Sequence, residues 1–258
     1  MKAGKVWVCA MVAGLGFLAS PLAGQISYPA WFFHPPAGDS VAVFARSDAE
    51  ALDSGAVVLA TYQQCRLEGD FQRFYSTALR DESYNNTAYY YYATDRDVAL
   101  WRNKVKVLSS WAIRLLSGEY VFLVGRSQSL SAADKAEIAV ASLSRPDWTR
   151  RGGFIKDGFV YGVGLFSIMG RSSDAWVKCE DNAIFNLVTT YSIQIGSITE
   201  VEKNENDRAV DDSMLKIDWV RLKYQLGGLR VLERWIDTSS DTCMVLVSAP
   251  ESSIRSFK

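Results

Sequence analysis

The chain has 258 residues, 48% of them apolar, and a formal charge of −1; that is ample for a packed core in one large domain or two small ones. A near-neutral, slightly acidic chain lacks the basic surface that phosphate neutralisation needs, so no nucleic-acid partner is expected. A single histidine, His34, excludes His-Glu-x-x-His metalloprotease geometry and any site needing two imidazoles.

The first element in chain order is a secretory signal over residues 1–24. Lys2 and Lys5 form a positive start, Val6 to Leu18 an apolar core, and Leu22-Ala23-Gly24 a small-residue end, the order expected of a signal peptide. The core is shorter than the roughly 20 residues a membrane-spanning helix needs, so an uncleaved anchor is the weaker alternative. Gln25 stands where a lipoprotein would carry its acylated Cys; without that thiol lipidation is not supported, although membrane association stays open. Loss of residues 1–24 would move the formal charge from −1 to −3. The expected location is the periplasm or cell envelope, with secretion as the further alternative. In an oxidising compartment the thiols Cys65, Cys179 and Cys243 permit one bridge, with Cys179 and Cys243 the candidate pair, or three buried free thiols.

Beyond the signal the chain carries an internal repeat. Pro29-Ala30-Trp31 recurs as Pro146-Asp147-Trp148. A short β-rich run follows each, Ser40 to Ala45 and Phe159 to Leu165. Helix-compatible stretches come next, Asp48 to Leu67 and Ser173 to Ile195, with alanines and bulky apolar residues near a 3.6 period. Val107-Leu108-x-x-Trp111 then reappears as Val231-Leu232-x-x-Trp235, each followed by a polar turn and a second apolar run. The expected fold is α+β: two tandem β-α-β-β modules, at 28–128 and 145–250, each a small antiparallel sheet covered by one long helix. Trp111 and Trp235 are expected to face the same way, beneath their own helices near Leu59 and Leu187. A connecting helix is expected over 129–144, because Ser131 and Asp134 resemble a capping box and Arg145-Pro146 should end it.

Each module also carries a polar insertion before its hairpin. In the first, Tyr89, Tyr90, Tyr91 and Tyr92 form a candidate interaction surface, since Tyr joins apolar area to a hydrogen-bonding tip; the alternative is a hairpin packed on its own sheet. In the second, Thr199 to Ser213 is dense in acids without the spacing that wraps a chain around calcium, so a solvated loop is expected and no metal. Gly162-Val163-Gly164 lacks the third small residue of a dinucleotide fingerprint, because Ser167 stands there. Close packing under a helix explains these glycines, and no cofactor is expected. No Gly-x-Ser-x-Gly elbow accompanies His34, so no catalytic residue is assigned.

The sequence resembles the LPP-twenty-type bacterial envelope lipoproteins in Pro29, Trp31, Phe32, Pro35 and Pro36, in a small-residue strand before a long alanine-spaced helix, and in the terminal pair of runs from Val231 to Trp235 and Met244 to Val247. The related flagellar H-ring assembly proteins carry a similar N-terminal domain. The resemblance implies an exported, non-enzymatic binding or assembly protein, with an envelope protein or a second copy as partner. The alternative is a cell-wall-directed hydrolase, which would need two carboxylates flanking a bond in the cleft between modules, one of them kept protonated by burial.

Overall fold

A computed structural model describes residues 27–76, 81–113, 120–126, 129–168, 172–194, 201–202 and 215–257; for 70–76, 81–90, 92, 201–202 and 215–221 it describes the backbone alone. The signal at 1–24 and most of the acidic insertion lie outside the described residues. The fold is α+β, built from several small antiparallel sheets. No helix among the described residues is long and apolar enough to cross a membrane.

The chain starts with β1 (Ser27–Pro29) and the four-residue α1 (Ala30–Phe33), whose Trp31, Phe32 and Phe33 are all buried. After β2 (Ser40–Ala45) comes α2 (Asp48–Gln63). Ser47 caps α2 by accepting the Glu50 N–H, while the Glu50 carboxylate takes the Arg46 N–H, so the first turn's orphan donors are partly satisfied. The helix stops at Gln63, four residues short of the expected end. From there Cys65 and Leu67 alternate inward as the start of β3 (Gln64–Ser76); period two overtakes the helical period because a partner strand is waiting. The chain then runs through β4 (Asp81–Tyr92), α3 (Asp95–Arg102), β5 (Lys106–Ala112) and β6 (Tyr120–Gly125).

The expected helix at 129–144 is not there. Ser131 and Asp134 do exchange their hydrogen bonds, Ser131 N–H to Asp134 Oδ2 at 2.8 Å and Asp134 N–H to Ser131 Oγ at 3.1 Å. Only one turn forms, and β7 (Glu137–Ala139) follows, paired with β1. The carbonyls of Asp134 and Ala136, which a continuing helix would use, instead accept the N–H groups of Trp31 and Ala30 at 2.9 and 2.8 Å. Those are orphan donors of the first turn of α1. A tertiary need therefore overrides a sound local start signal.

The second half contains β8 (Phe154–Lys156), β9 (Phe159–Ser167), α4 (Ser172–Gln194), β10 (Val201–Glu202), β11 (Leu215–Gly227), β12 (Arg230–Asp237), β13 (Thr242–Pro250) and β14 (Arg255–Ser256). One sheet has the order β2-β6-β5 and another β12-β13-β9-β8. In both, the strand before the helix pairs with the second strand of the later hairpin. Each hairpin also carries a β-bulge at the same place in its motif, at Leu108 between Val107 and Ser109, and at Leu232 between Val231 and Glu233.

Helix and sheet approach closely under both helices. A Cβ on Gly164 would lie 2.5 Å from the Ala183 N, and one on Gly162 2.6 Å from the Leu187 N. In the first sheet the small residue sits on the helix instead: a Cβ on Gly55 would lie 2.7 Å from the Val124 Cβ. The register pairs Val41 with Val124 and Gly162 with Val247. With the bulges as reference points, Gly162-Val163-Gly164 corresponds to Val41-Ala42-Val43.

Trp111 and Trp235 turn away from their helices, not beneath them. Trp235 pairs with Met244 and packs with Trp148, Val163 and Leu246 on the far face of its sheet. Trp111 pairs with Val121, three residues from the helix-facing Val124, and donates Nε1–H to the Ser27 carbonyl at 3.3 Å. Four residues beyond Val107 on an unbroken strand would share its face, because side chains alternate with period two. The bulge adds one residue and reverses that parity.

A further sheet joins the two halves. Its order is β10-β11-β3-β4, with β14 against β11, and β3 pairs with β11 without interruption from Gln64↔Gly227 to Ser76↔Leu215. β4 and β10, which carry parts of the two insertions, lie on opposite outer sides of the β3–β11 pair. At the corner where β11 turns into β12, Gly228 takes φ +66° and the N–H groups of Gly228 and Leu229 donate to the Gln63 and Tyr62 carbonyls. Two of the last carbonyls of α2 are satisfied from the other half of the chain.

Candidate functional site

The leading aromatics, both helices and the β11–β12 corner converge on one buried polar network. Arg234, on β12, is 2% exposed and chelates one oxygen of Glu180, on α4, through Nη2 at 2.7 Å and Nε at 3.1 Å. Its remaining Nη1 donates to the Phe32 carbonyl at 2.8 Å, and its guanidinium carbon lies 4.8 Å from the Phe32 ring centroid. Tyr62, from α2, donates to the other Glu180 oxygen at 2.9 Å. Burial, then the Glu180 charge, push the Tyr62 phenol well above its ordinary value, so Tyr62 stays a donor. A charge buried this far needs such company, because an unpaired one is costly.

A cavity of about 290 Å3 opens beside the network. Its walls come from the Pro35–Ala42 segment, from Leu59, Tyr62 and Gln63 of α2, from Trp101 of α3, and from the β11–β12 corner. Trp101 is held by an Nε1–H bond to Gln63 Oε1 at 2.9 Å, with the Arg126 guanidinium 4.8 Å over its ring. Arg126 also pairs with Asp39 at 3.3 Å. The two carboxylates in the lining, Asp39 and Glu180, are therefore each paired with an arginine. Asp181, the next residue along α4, is pushed up to about 6 by burial, but it is not part of the cavity wall.

Comparison of the chain with protein-family models, with curated proteins and with solved structures gave no match.

The residues singled out from sequence are dispersed. Tyr89, Tyr90, Tyr91 and Tyr92 lie on β4 opposite Gly69, Glu68, Leu67 and Arg66, on the outer strand of the joining sheet. Tyr91 is half-buried against the core; the other three side chains lie outside the described residues. Cys179 and Cys243 do meet under β9, as free thiols and not as a disulfide. Cys179 Sγ–H points at the Gly164 and Cys243 carbonyls, and Cys243 Sγ–H at those of Phe166 and Ala175. Fully buried and with carbonyls to donate to, both behave as small buried hydrophobes. Burial pushes the Cys65 thiol up to about 12. His34 is exposed, with Nδ1 3.8 Å from Glu233. Sequence reasoning missed Glu180, Arg234, Tyr62 and Trp101. Arg234 gave no distinct signal, because its strand also carries Arg230, Glu233 and Asp237.

Proposed function

We propose that this chain is an exported, non-enzymatic cell-envelope protein, a binding or assembly scaffold made from two copies of one β-α-β-β unit of the LPP-twenty type. The shared strand order and the bulge at the same motif position in both hairpins support the duplication. A bulge alters register and side-chain parity together, so its recurrence three residues before the end of the same motif, Val-Leu-x-x-Trp, is hard to obtain by convergence.

The observation that carries the binding reading is the outer strand of the joining sheet. β4 is twelve residues long, bears the four tyrosines, and has no strand on its outer side among the described residues. Such an edge presents unpaired N–H and C=O groups to a partner strand. Asp81 and Glu82 are its only charges, both at one end, and no proline guards it. The occupied state of Asp39 and Glu180 favours a scaffold over carboxylate catalysis, since acid–base work needs a carboxyl group available to exchange a proton.

Crosslinking in an envelope fraction, followed by pull-down, tests the reading. A crosslinked envelope partner or a second copy, lost when Tyr90→Pro disrupts the edge, is the expected result. A strictly monomeric protein with no crosslinked partner under several conditions would overturn it. Fractionation of a Val12→Arg/Leu15→Arg variant tests export, because each charge costs roughly 2.5–3.5 kcal/mol in an apolar insertion segment; the variant should stay in the cytoplasm.

A further inference from the structure

The charges around the cavity do not cancel. Asp39 is matched by Arg126 and Glu180 by Arg234, which leaves Arg230 as a cation in the lining whose side chain has no hydrogen bond or ion pair among the described residues. Arg230 is the first residue of β12, exposed, immediately after the corner that closes α2. One more polar group of the wall has unused capacity. Gln63 uses its amide oxygen on Trp101, which leaves its NH2 donors. Trp101, Leu59 and Pro35 give the wall apolar area beside these groups.

Apolar walls with a few placed polar groups are the usual form of a small-molecule site, and about 290 Å3 lies just under the usual size range, which suits a small ligand. The donors in surplus are a guanidinium and an amide, which suit a carboxylate; guanidinium matches that group in plane and charge. We propose that this cavity binds a small monocarboxylate with a flat apolar body, its carboxylate at Arg230 and its body against Trp101. The site draws on the leading segment, α2, α3 and the β11–β12 corner, so an occupant bridges both halves of the molecule and adds to their cohesion. The inference does not rest on the partner reading: crosslinking and ligand binding can each fail while the other stands.

The test is a thermal-shift and calorimetric titration of the full exported chain with benzoate, and with benzamide as its neutral analogue. Binding to the folded state raises the melting temperature with ligand concentration. Benzoate should stabilise saturably, and benzamide should bind roughly tenfold or more weakly, as the loss of a charge-assisted pair implies. Arg230→Gln should level the two ligands, and Arg230→Lys should restore part of the preference. Because Arg230 is exposed, both variants should melt like wild type without ligand. An N-acetylated peptide ending in Phe, set against the same peptide with an amidated end, separates a free acid from a chain terminus as the natural source of the carboxylate. Absence of saturable benzoate binding, equal binding of benzoate and benzamide, or a preference that survives Arg230→Gln would each overturn the proposal.

Discussion

At the scale of single residues, the buried ion pair and the lone Asp181 make opposite demands. Removing one partner of a buried pair strands the other, which typically costs about 3–5 kcal/mol. Arg234→Ala should therefore destabilise the protein by about that amount in chemical denaturation, while Arg234→Met combined with Glu180→Leu should recover most of the loss, since an apolar pair of similar volume strands no charge. If the double variant is no better than the single one, the network is held together by more than charge pairing. Asp181 is the reverse case. Its folded value of about 6 exceeds the ordinary 3.8 because burial disfavours the carboxylate. Stability from this group is thus fully present below about pH 3.8 and is lost as pH rises through 6. The full shift corresponds to about 3 kcal/mol, reduced by residual solvent screening to about 1–2 kcal/mol. Asp181→Asn should be more stable than wild type above pH 6, and the difference should vanish below pH 4. Melts of the two proteins across that range decide it; a gap that does not change with pH would refute the assignment.

At the scale of elements, helix-to-sheet distance and hairpin parity are the determining features. Gly164→Ala should cost about 1–3 kcal/mol, the usual penalty for overpacking, because the added Cβ meets the α4 backbone. Gly152→Ala is the matched control, since a Cβ there meets nothing within 4 Å, and it should be close to neutral. Trp235→Ala should cost about 3–5 kcal/mol as a buried aromatic, and Trp111→Ala less, because Trp111 is only partly buried. The small-residue strand and both covering helices were legible from sequence, since close packing and 3.6 periodicity are local signals. The bulges were not. One inserted residue leaves no mark in a motif that reads equally well as a regular strand, so Trp111 and Trp235 were placed on the wrong face although their mutual equivalence was read from the motif. Ser131 and Asp134 failed in another way: their local signal was correct, but α1 claimed the carbonyls that would have extended the helix.

At the scale of the whole molecule, the joining sheet makes the halves interdependent. The pairing of β3 with β11 and the core shared by the leading aromatics, α2 and α4 predict a single unfolding transition in calorimetry. Two resolved transitions would mean that the halves fold as independent units. The amino-acid sequence by itself determined the α+β class, the order of strand, helix and hairpin in each half, and the glycine strand under its helix, because these follow from periodicity and side-chain size within a short stretch of chain. The tertiary structure alone decided that β3 and β11 pair with each other, that Glu180, Arg234 and Tyr62 meet, and that the Arg230 side chain is left unmatched beside a cavity among the described residues. Those facts depend on contacts between residues up to two hundred positions apart, as Arg234 and Phe32 are, where no local pattern records which backbone edge or charge will find which partner.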